Sequence, residues 1–424
     1  MPAARPLRPP GDQLWSRDFT LFFAARTTSL FGDMMLPVAL TAAMLHSGYG
    51  MSGVGYALAA HIAPFAVFVV FGGVLADRFG PRRLMVGADA ARLVLQSLLA
   101  ASFLVGKPAL WHVLLALVLI GLGSAAFQPG TASVIPQIAR DVQKANATLR
   151  VAESLMTVAG PAGGGVILAL WSPAWALAVD AATFGISGIC LLGLRHLTHA
   201  RPRTPSSLRR DLVEGWREFR SRTWLWGVIL IWMLGALTVY GPNQTLGFST
   251  IASQHGDSAF GLIMSALGLG SVVGGLAATR LRPRHPLRGG AIAFLGLACS
   301  PLTVALDLPA PAIAIGYAIG GGAAAFWIVM FHTSVQTHIP PSVIGRVHAY
   351  DVAGSLAMAP VGRALAGPVG EQIGARTVLL FSTAMLLVVC SLLLATPAIR
   401  NLRRADASAP DASEPLTRID EDTP

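Results

Sequence analysis

The sequence is poor in charged residues. Aspartate, glutamate, lysine and arginine make up 12% of its 424 residues, whereas hydrophobic residues make up 54%. Soluble domains carry about 25% charged residues, so this chain lacks the charge needed to cover a surface exposed to water. Its net charge of +10 does not indicate nucleic-acid binding, because the basic residues lie in short clusters without interleaved aromatic residues. The composition favours a protein surrounded by lipid.

Cysteine is also scarce, and the three cysteines, Cys190, Cys299 and Cys390, lie far apart in separate apolar runs. This spacing argues against a disulfide framework and against a zinc site. The only nucleotide-like pattern, Gly268-x-Gly270-x-x-x-Gly274, lies inside an apolar run, where close helix packing explains it better. Because a metal cluster, a catalytic triad and a Walker-type loop are also absent from the sequence, we expect a non-enzyme without a metal or other cofactor.

Long apolar runs dominate what is present. A helix needs about 20 mostly apolar residues to cross a bilayer, and twelve segments meet that requirement. We predict an all-α integral membrane protein with twelve transmembrane helices, here called spans 1 to 12. They cover approximately residues 19–45, 52–76, 84–105, 109–131, 148–170, 174–194, 224–249, 258–281, 288–307, 310–336, 347–369 and 375–397.

The basic residues orient these spans. If both termini are cytoplasmic, 26 of the 31 lysines and arginines lie in cytoplasmic segments and two in outer loops, and Arg26, Arg92 and Arg363 lie within spans. This asymmetry is typical of inner-membrane topology, so we expect a multi-pass monomer in the cell inner (plasma) membrane. The predicted divisions are a cytoplasmic N-terminal segment (1–17), an N-terminal six-helix bundle (18–195), a cytoplasmic linker (196–222), a C-terminal six-helix bundle (223–398) and a disordered cytoplasmic tail (399–424).

The two halves resemble each other at a spacing near 200 residues. The segment 72–83 at the end of span 2 agrees at six of twelve positions with 274–285 at the end of span 8. Pro37 in span 1 corresponds to Pro242 in span 7, and Pro161 in span 5 to Pro360 in span 11. Transporters built from two such halves bind substrate near the membrane midplane, between the halves.

Several motifs resemble those of a known family. The segment Gly73-x-Leu75-Ala76-Asp77-Arg78-Phe79-Gly80-x-Arg82-Arg83 resembles the loop 2–3 signature of the major facilitator superfamily. The segment Gly160-Pro161-Ala162-Gly163-Gly164 resembles the span 5 motif of its antiporters, and we expect it to kink span 5 because proline removes a backbone hydrogen bond. Two further segments are similar to the branch of enterobactin exporters and macrolide efflux proteins: Gln336-Thr337-His338-Ile339-Pro340 with Gly345-Arg346-Val347, and Arg26-x-x-Ser29-x-x-Gly32-Asp33. The resemblance implies the two-bundle fold, export and a gating role for the loop. Span 4 lacks the basic residue that many proton-coupled drug exporters carry there.

Asp77 is the candidate for that gate. It lies at the C-terminal end of span 2, where the helix dipole disfavours a carboxylate. We hypothesise that it contacts Arg346, which opens span 11, and that this contact latches the halves on the cytoplasmic side. The rest of the gate motif is Gly73, Arg78, Gly80, Arg82 and Arg83. Alternatively, the arginines only orient the protein and Asp77 pairs locally.

Three residues inside spans are candidates for proton coupling: Asp33, Arg26 and Asp180. Asp33 lies about 21 Å along span 1, and an ionisable group at that depth is by default a functional candidate. Arg26 lies two turns earlier on the same face, so we expect both residues to line one cavity without direct contact. Asp180 in span 6 is nearer the outer end, where we expect partial solvation. For each, a structural ion pair or hydrogen bond is the alternative, and for Asp89 and Arg92, three apart in span 3, we expect a local pair.

Polar side chains near the predicted centre are candidates for substrate contact, and hydrogen bonding between helices is the alternative for each of them. They are Gln128 in span 4, Asn243 and Gln244 in span 7, and His332 and Gln336 in span 10. Together these features predict a secondary active transporter that works by alternating access and exports a small amphipathic drug or metabolite in exchange for protons. Because few charges line the spans, we expect a neutral or cationic amphiphile. An importer on the same fold and a non-transporting membrane sensor are the alternatives.

Overall fold

The computed structural model describes residues 15–68, 80–139, 141–195, 216–339 and 354–404, and this part of the chain contains helices and no strand. The longer helices, numbered here in chain order, are α1 Arg17–His46, α2 Gly50–Phe68, α3 Pro81–Val105, α4 Leu110–Ile138, α5 Val142–Leu170, α6 Pro173–Leu192, α7 Thr223–His255, α8 Asp257–Arg280, α9 Pro286–Ala305, α10 Ala310–His338, α11 Ala359–Ile373 and α12 Ala375–Ala395.

Ten of these helices are long and apolar enough to cross a membrane. The other two, α2 and α11, do not meet that criterion within the described residues. Of the predicted linker 196–222, residues 216–221 are helical and 196–215 lie outside the described residues. Within the predicted tail 399–424, the chain is described as far as residue 404, and a short helix, α13, covers Pro397–Arg400.

Local sequence signals set several helix ends. The Ser16 hydroxyl accepts a hydrogen bond from the backbone N–H of Phe19 at 3.2 Å and caps α1, and Asp141 caps α5 in the same way through Lys144 N–H at 2.9 Å. Such caps satisfy N–H groups that have no partner within the helix. The connections from α7 to α8 and from α11 to α12 are each a single glycine with positive φ, Gly256 (82°) and Gly374 (88°). Glycine adopts this conformation without steric cost, which allows the abrupt reversals.

The chain packs as two groups of helices, α1–α6 and α7–α12, that meet along two seams. One seam is α5 against α8 and the other is α2 against α11. Glycines allow the close approach at both: a side chain at Gly165 of α5 would collide with the backbone of Gly261 of α8, and one at Gly367 of α11 would collide with the backbone of α2 at Met51. Small residues serve this purpose in membrane proteins generally.

The predicted close packing through the glycines of α8 is confirmed. Side chains at Gly270 and Gly274 would collide with the backbone of α10 at Ala318 and Gly322, and one at Gly268 would collide with Thr157 of α5 in the other group. A single helix therefore presents one glycine face to its own group and another to the opposite group.

Two helices depart from regular α geometry. In α7, π-helical turns at Ala236–Tyr240 and Asn243–Gly247 lie on either side of Pro242. In α9, a 3₁₀ turn at Leu295–Ala298 precedes Pro301. Proline removes a backbone hydrogen bond, and π turns are frequent at functional sites.

The cores of the two groups differ in chemistry. In the second group an aromatic column runs from Trp232 through Phe294 and Trp327 to Phe331, with successive ring centroids 5.7, 5.8 and 6.3 Å apart. The first group instead buries several charged side chains between its helices.

Candidate functional site

A cavity of about 410 Å³ lies between the two groups of helices and takes its walls from both. Its volume falls within the range of about 300–1,000 Å³ typical of small-molecule sites. The lining residues are Asp33, Met34, Pro37, Val38, Leu58, His61, Ile62, Thr157 and Pro161 from α1, α2 and α5, and Gln244, Phe248, Met264, Leu267, Gly268, Ser271 and Arg363 from α7, α8 and α11. Most of this surface is apolar, so the few polar groups determine what binds there.

Asp33 is held in the cavity wall by an arginine of another helix. Arg92 of α3 places Nη1 3.6 Å from Asp33 Oδ2 and also forms an ion pair with Asp89, one turn before it on α3. The predicted local pair of Asp89 and Arg92 is therefore confirmed. The contact with Asp33 adds a second carboxylate, so one guanidinium group is shared by two acidic side chains.

Aromatic rings and hydroxyl groups complete the surroundings of Arg92, whose side chain is almost fully buried. Its guanidinium carbon lies 4.2 Å from the ring centroid of Phe184 and 4.9 Å from that of Phe127. The face of an aromatic ring stabilises a cation in a site without water. The Ser187 hydroxyl donates to Asp89 Oδ2 at 2.6 Å. The arrangement fixes Arg92 and leaves Asp33 as the member of the cluster that borders the cavity.

Asp180 differs from the other acids of this region. The prediction that it is partly solvated is wrong, because its side chain is 0% exposed. Gln96 Nε2 donates to its Oδ2 at 2.8 Å, whereas Oδ1 has no hydrogen-bond partner and no basic side chain pairs with it among the described residues. Gly32 of α1 permits this burial, since a side chain there would collide with Asp180 Oδ1. An isolated carboxylate is costly in such a place, and the hydrogen bond from Gln96 is the compensation that the described residues provide.

Arg26 lies against a partner that the sequence analysis did not single out. Its Nη2 is 3.1 Å from Oε1 of Glu153 on α5, and Arg150 pairs with the other oxygen of the same carboxylate at 3.0 Å. Among the described residues Arg26 forms no ion pair with Asp33, as expected from their spacing. The expectation that both line one cavity is wrong, because Asp33 lines the central cavity and Arg26 does not. The sequence does contain a signal for this partner, because Glu153 is the one acidic residue of span 5, residues 148–170.

The substrate-contact candidates occupy different places. Gln244 lines the central cavity. Asn243 Oδ1 accepts a hydrogen bond from the Tyr317 hydroxyl at 3.2 Å within its own group of helices. His332 lines a second, apolar pocket with Trp232, Trp327 and Phe331. The side chains of Gln128 and Gln336 are exposed and do not line the central cavity.

The glycines of the span 5 motif pack α5 against α1. A side chain at Gly160 would collide with Met34, one at Gly163 with Phe31 and one at Gly164 with Met35. Pro161 lines the central cavity. The α-helix continues through Pro161 from Val142 to Leu170, so the motif holds α5 close to the helix that carries Asp33.

The gate motif is described only in part. Gly80 precedes α3 with a positive φ of 81°, and the Arg82 guanidinium donates to the carbonyl groups of Leu191, at 3.0 Å, and of Leu192 at the C-terminal end of α6. A cation at a helix C-terminus is favourable. Arg83 is exposed. Gly73, Asp77, Arg78 and Arg346 lie outside the described residues, so the predicted Asp77–Arg346 latch stays a prediction.

The two groups of helices also meet through polar contacts at the end of the molecule where α1 ends and α2 begins, called here the loop-1 end. His46 Nε2 of α1 lies 3.0 Å from Asp257 Oδ2 of α8. Glu371 of α11 accepts hydrogen bonds from the backbone N–H of Ser52 at 2.9 Å and from its hydroxyl at 2.6 Å. At the loop-1 end, therefore, contacts between α1 and α8 and between α2 and α11 connect the two groups of helices.

The sequence and the fold both match known transporters. The family model described as "Major Facilitator Superfamily" matches residues 22–359. The enterobactin exporter EntS of Shigella flexneri is 26% identical over 372 residues, covering 84% of this chain and 85% of that protein. The multidrug efflux pump Tap of Mycobacterium bovis is 26% identical over 414 residues, covering 91% and 94%.

A solved structure of the nucleoside transporter NupG superposes with a TM-score of 0.73 at 12% identity, over 90% of this chain and 98% of that one. At this identity the likeness concerns the fold alone. The family model matches most of the chain. The two groups of helices and the cavity between them are consistent with that match. The chain belongs to the Major Facilitator Superfamily and is a multi-pass membrane transporter, not an enzyme.

Proposed function

We propose that this transporter exports a small amphipathic organic compound in exchange for protons by alternating access. The observation that carries the proposal is the central cavity, whose walls come from both groups of helices and which holds one carboxylate, Asp33, next to the shared Arg92. A site between two halves is what alternating access requires. The resemblance to proteins named as exporters supports the outward direction.

In this proposal the chain crosses the membrane twelve times, with both termini in the cytoplasm, in the inner membrane and as a monomer. Residues 18–195 and 223–398 are the two bundles, with 1–17, 196–222 and 399–424 on the cytoplasmic side. The charge asymmetry of the sequence and the two groups of helices support this topology. The loop-1 end then faces outward, and the contacts of Ser52 with Glu371 and of His46 with Asp257 close the cavity on the outer side.

Asp33 is proposed as the residue that binds and releases the proton. It borders the cavity, and its side chain is 22% exposed, whereas Asp89 and Asp180 are fully buried. Arg92 lies between Asp33 and Asp89 and can compensate either carboxylate. Loss of a proton from Asp33 would strengthen its attraction to Arg92, so each proton that binds or leaves changes the charge of the cavity wall. Asp180 and Arg26 take supporting roles in the same bundle.

The opposite gate is proposed to be the Asp77–Arg346 contact. In the inward-facing state the outer contacts are made and this one is broken, and in the outward-facing state the reverse holds. Two mutually exclusive sets of contacts form a two-state switch. Gln244 and the apolar wall of the cavity would contact the substrate. His332 would contact it in the second, aromatic pocket.

The purified chain, reconstituted into proteoliposomes with the pH dye pyranine inside, tests the function. Vesicles with an acidic lumen receive ethidium, 2-naphthalenesulfonamide or 2-naphthalenesulfonate outside. We expect at least one compound to raise the lumenal pH faster than in protein-free liposomes, and D33N to abolish the difference. Proton movement that is equal with wild type, D33N and no protein for all three compounds would contradict proton-coupled transport. Direction follows from a deletion strain, which accumulates the compound if the protein exports it and fails to take it up if it imports it.

A further inference from the structure

Arg363 of α11 is a cation within a predicted span, and it has no carboxylate partner in the part of the chain that the structure describes. Of the three arginines assigned to spans, Arg26 pairs with Glu153 and Arg92 with Asp33 and Asp89. Arg363 forms no ion pair with any described residue. Its one described side-chain hydrogen bond goes from Nη1 to the backbone carbonyl of Leu58 on α2, at 3.3 Å. A guanidinium group has five N–H donors, so most of its binding capacity is unused.

The guanidinium belongs to the wall of the central cavity, not to a lipid-facing surface. Arg363 lines that cavity together with His61 of α2 and Gln244 of α7. His61 lies one helical turn after Leu58, whose carbonyl Arg363 contacts, and residues three apart on a helix share a face. The buried Nδ1 of His61 has no hydrogen-bond partner among the described residues. His61 therefore belongs to the same part of the cavity wall as Arg363.

The backbone that carries Arg363 is held in place on two sides. A side chain at Gly55 of α2 would collide with the Arg363 carbonyl, and one at Gly241 of α7 would collide with Gly362. The Thr245 hydroxyl donates to the same Arg363 carbonyl at 3.2 Å. Gly241 and Thr245 belong to the irregular part of α7 around its π-helical turns. The backbone of Arg363 is therefore fixed, and the hydrogen bond to the Leu58 carbonyl orients its guanidinium group, which lowers the cost of ordering the side chain when a ligand binds.

Asp33, the one carboxylate on the cavity wall within the described residues, already has Arg92 as its cation at 3.6 Å. Because no other carboxylate of the described residues borders the cavity, a bound ligand can supply the negative charge for Arg363. The other lining residues are mainly methionine, leucine, isoleucine, valine, proline and phenylalanine, which suit an apolar body.

We propose that the substrate is an anionic amphiphile whose carboxylate, sulfonate or similar acidic group binds Arg363, with His61 and Gln244 as additional hydrogen-bonding groups. The proposal rests on the proposed transport function and specifies the substrate class of its central cavity. It replaces the neutral or cationic amphiphile expected from the sequence, because counting charges does not reveal which of them are already paired. Arginine suits this role, since its planar fork matches acidic groups with two oxygens.

Two ligands of nearly equal size and shape test the proposal: 2-naphthalenesulfonate, which is anionic, and 2-naphthalenesulfonamide, which is neutral at pH 7.5. Binding to the purified full chain in detergent is measured as the rise of the unfolding midpoint with ligand concentration. We expect wild type to bind the sulfonate about tenfold more tightly, the difference that a charge-assisted hydrogen bond supplies. R363Q should bind both equally, and R363K should keep part of the preference.

R376Q is the matched control, because Arg376 is an exposed arginine at the start of α12 and its loss changes the net charge equally. Equal binding of both ligands by wild type, or a sulfonate preference that survives in R363Q, would overturn the anion site. If R363Q does not fold, the proposal is still tested by the affinities of wild type and R363K for the sulfonate and the sulfonamide. Wild type that moves protons without preferring the sulfonate refutes the anion site alone, whereas preference for the sulfonate without proton movement refutes coupled transport alone.

Discussion

Glu371 caps a helix of the opposite half: its two carboxylate oxygens accept hydrogen bonds from the backbone N–H and the hydroxyl of Ser52, in the first turn of α2. The first N–H groups of a helix have no partner within the helix, and an anion there is further stabilised by the helix dipole. The contact crosses the seam between α2 and α11, so it exists only while the loop-1 end is closed.

Replacing Glu371 with alanine should therefore open the loop-1 end. Loss of these hydrogen bonds is worth about 1 kcal/mol at this exposed position, or roughly a fivefold shift in the ratio of open to closed molecules. Double electron–electron resonance between spin labels at the start of α2 and the end of α11 would report the change as a longer distance between the two labels. E371Q, which can still accept hydrogen bonds, should shift the ratio less. An unchanged distance distribution in E371A would rule out the latch role.

The contact between Gly165 and Gly261 leads to a second prediction. Valine at Gly261 would collide with the backbone of α5, so G261V should prevent closure of the α5–α8 seam and reduce transport at least about tenfold, since overpacking costs about 1–3 kcal/mol. Gly275 lies on the same helix with open space around it, and G275V is the matched control. Equal transport rates for G261V and G275V would show that transport does not need the close contact between α5 and α8.

A third prediction concerns Asp33. D33N removes the charge next to Arg92 and nearly preserves the shape of the side chain, so we expect normal expression and folding but no transport driven by a pH gradient. Proteoliposomes with pyranine provide the measurement. D307N is the control, because Asp307 is exposed, lies in the turn after α9 ends at Ala305 and has a positive φ of 52° that asparagine tolerates. Wild-type pH dependence in D33N would remove Asp33 from the coupling mechanism.

Some of the contacts described above could be predicted from the sequence, and others could not. The Asp89–Arg92 pair and the glycine face of α8 follow from helical spacing, so both could be predicted. The sharing of Arg92 with Asp33 and the contact of Gly268 with Thr157 depend on how helices rotate about their axes when they pack. That rotation is decided by many side chains together. Arg363 was visible as a charge within a span, but which described residues it contacts is a property of the packed molecule.

Asp180 provides a fourth prediction. If its carboxyl group is protonated in this state, D180N should keep the hydrogen bond with Gln96 and lower the free energy of unfolding by less than about 1 kcal/mol. D180L should cost about 1–3 kcal/mol, because the buried Gln96 amide loses its partner. Unfolding midpoints in detergent test this order. Equal destabilisation by both variants would instead indicate that Asp180 carries a charge that the fold needs.

The gate on the opposite side gives a fifth prediction. D77R and R346D should each reduce transport, and the double variant with both charges exchanged should recover part of it, because the attraction between the two positions is restored. Transport rates in proteoliposomes and a check of expression level complete the test. If the exchange restores nothing while all variants fold, Asp77 and Arg346 do not form the latch.

The meeting of Gly165 and Gly261 has one more consequence, which concerns entropy. Burying a long side chain at an interface costs up to about 2 kcal/mol in lost rotamer freedom, whereas glycine has no rotamers to lose. A seam made of facing glycines therefore forms without freezing side chains at its closest point, and it releases no such freedom when it separates. Such a contact is well suited to being made and broken many times, because neither step carries a large entropic penalty.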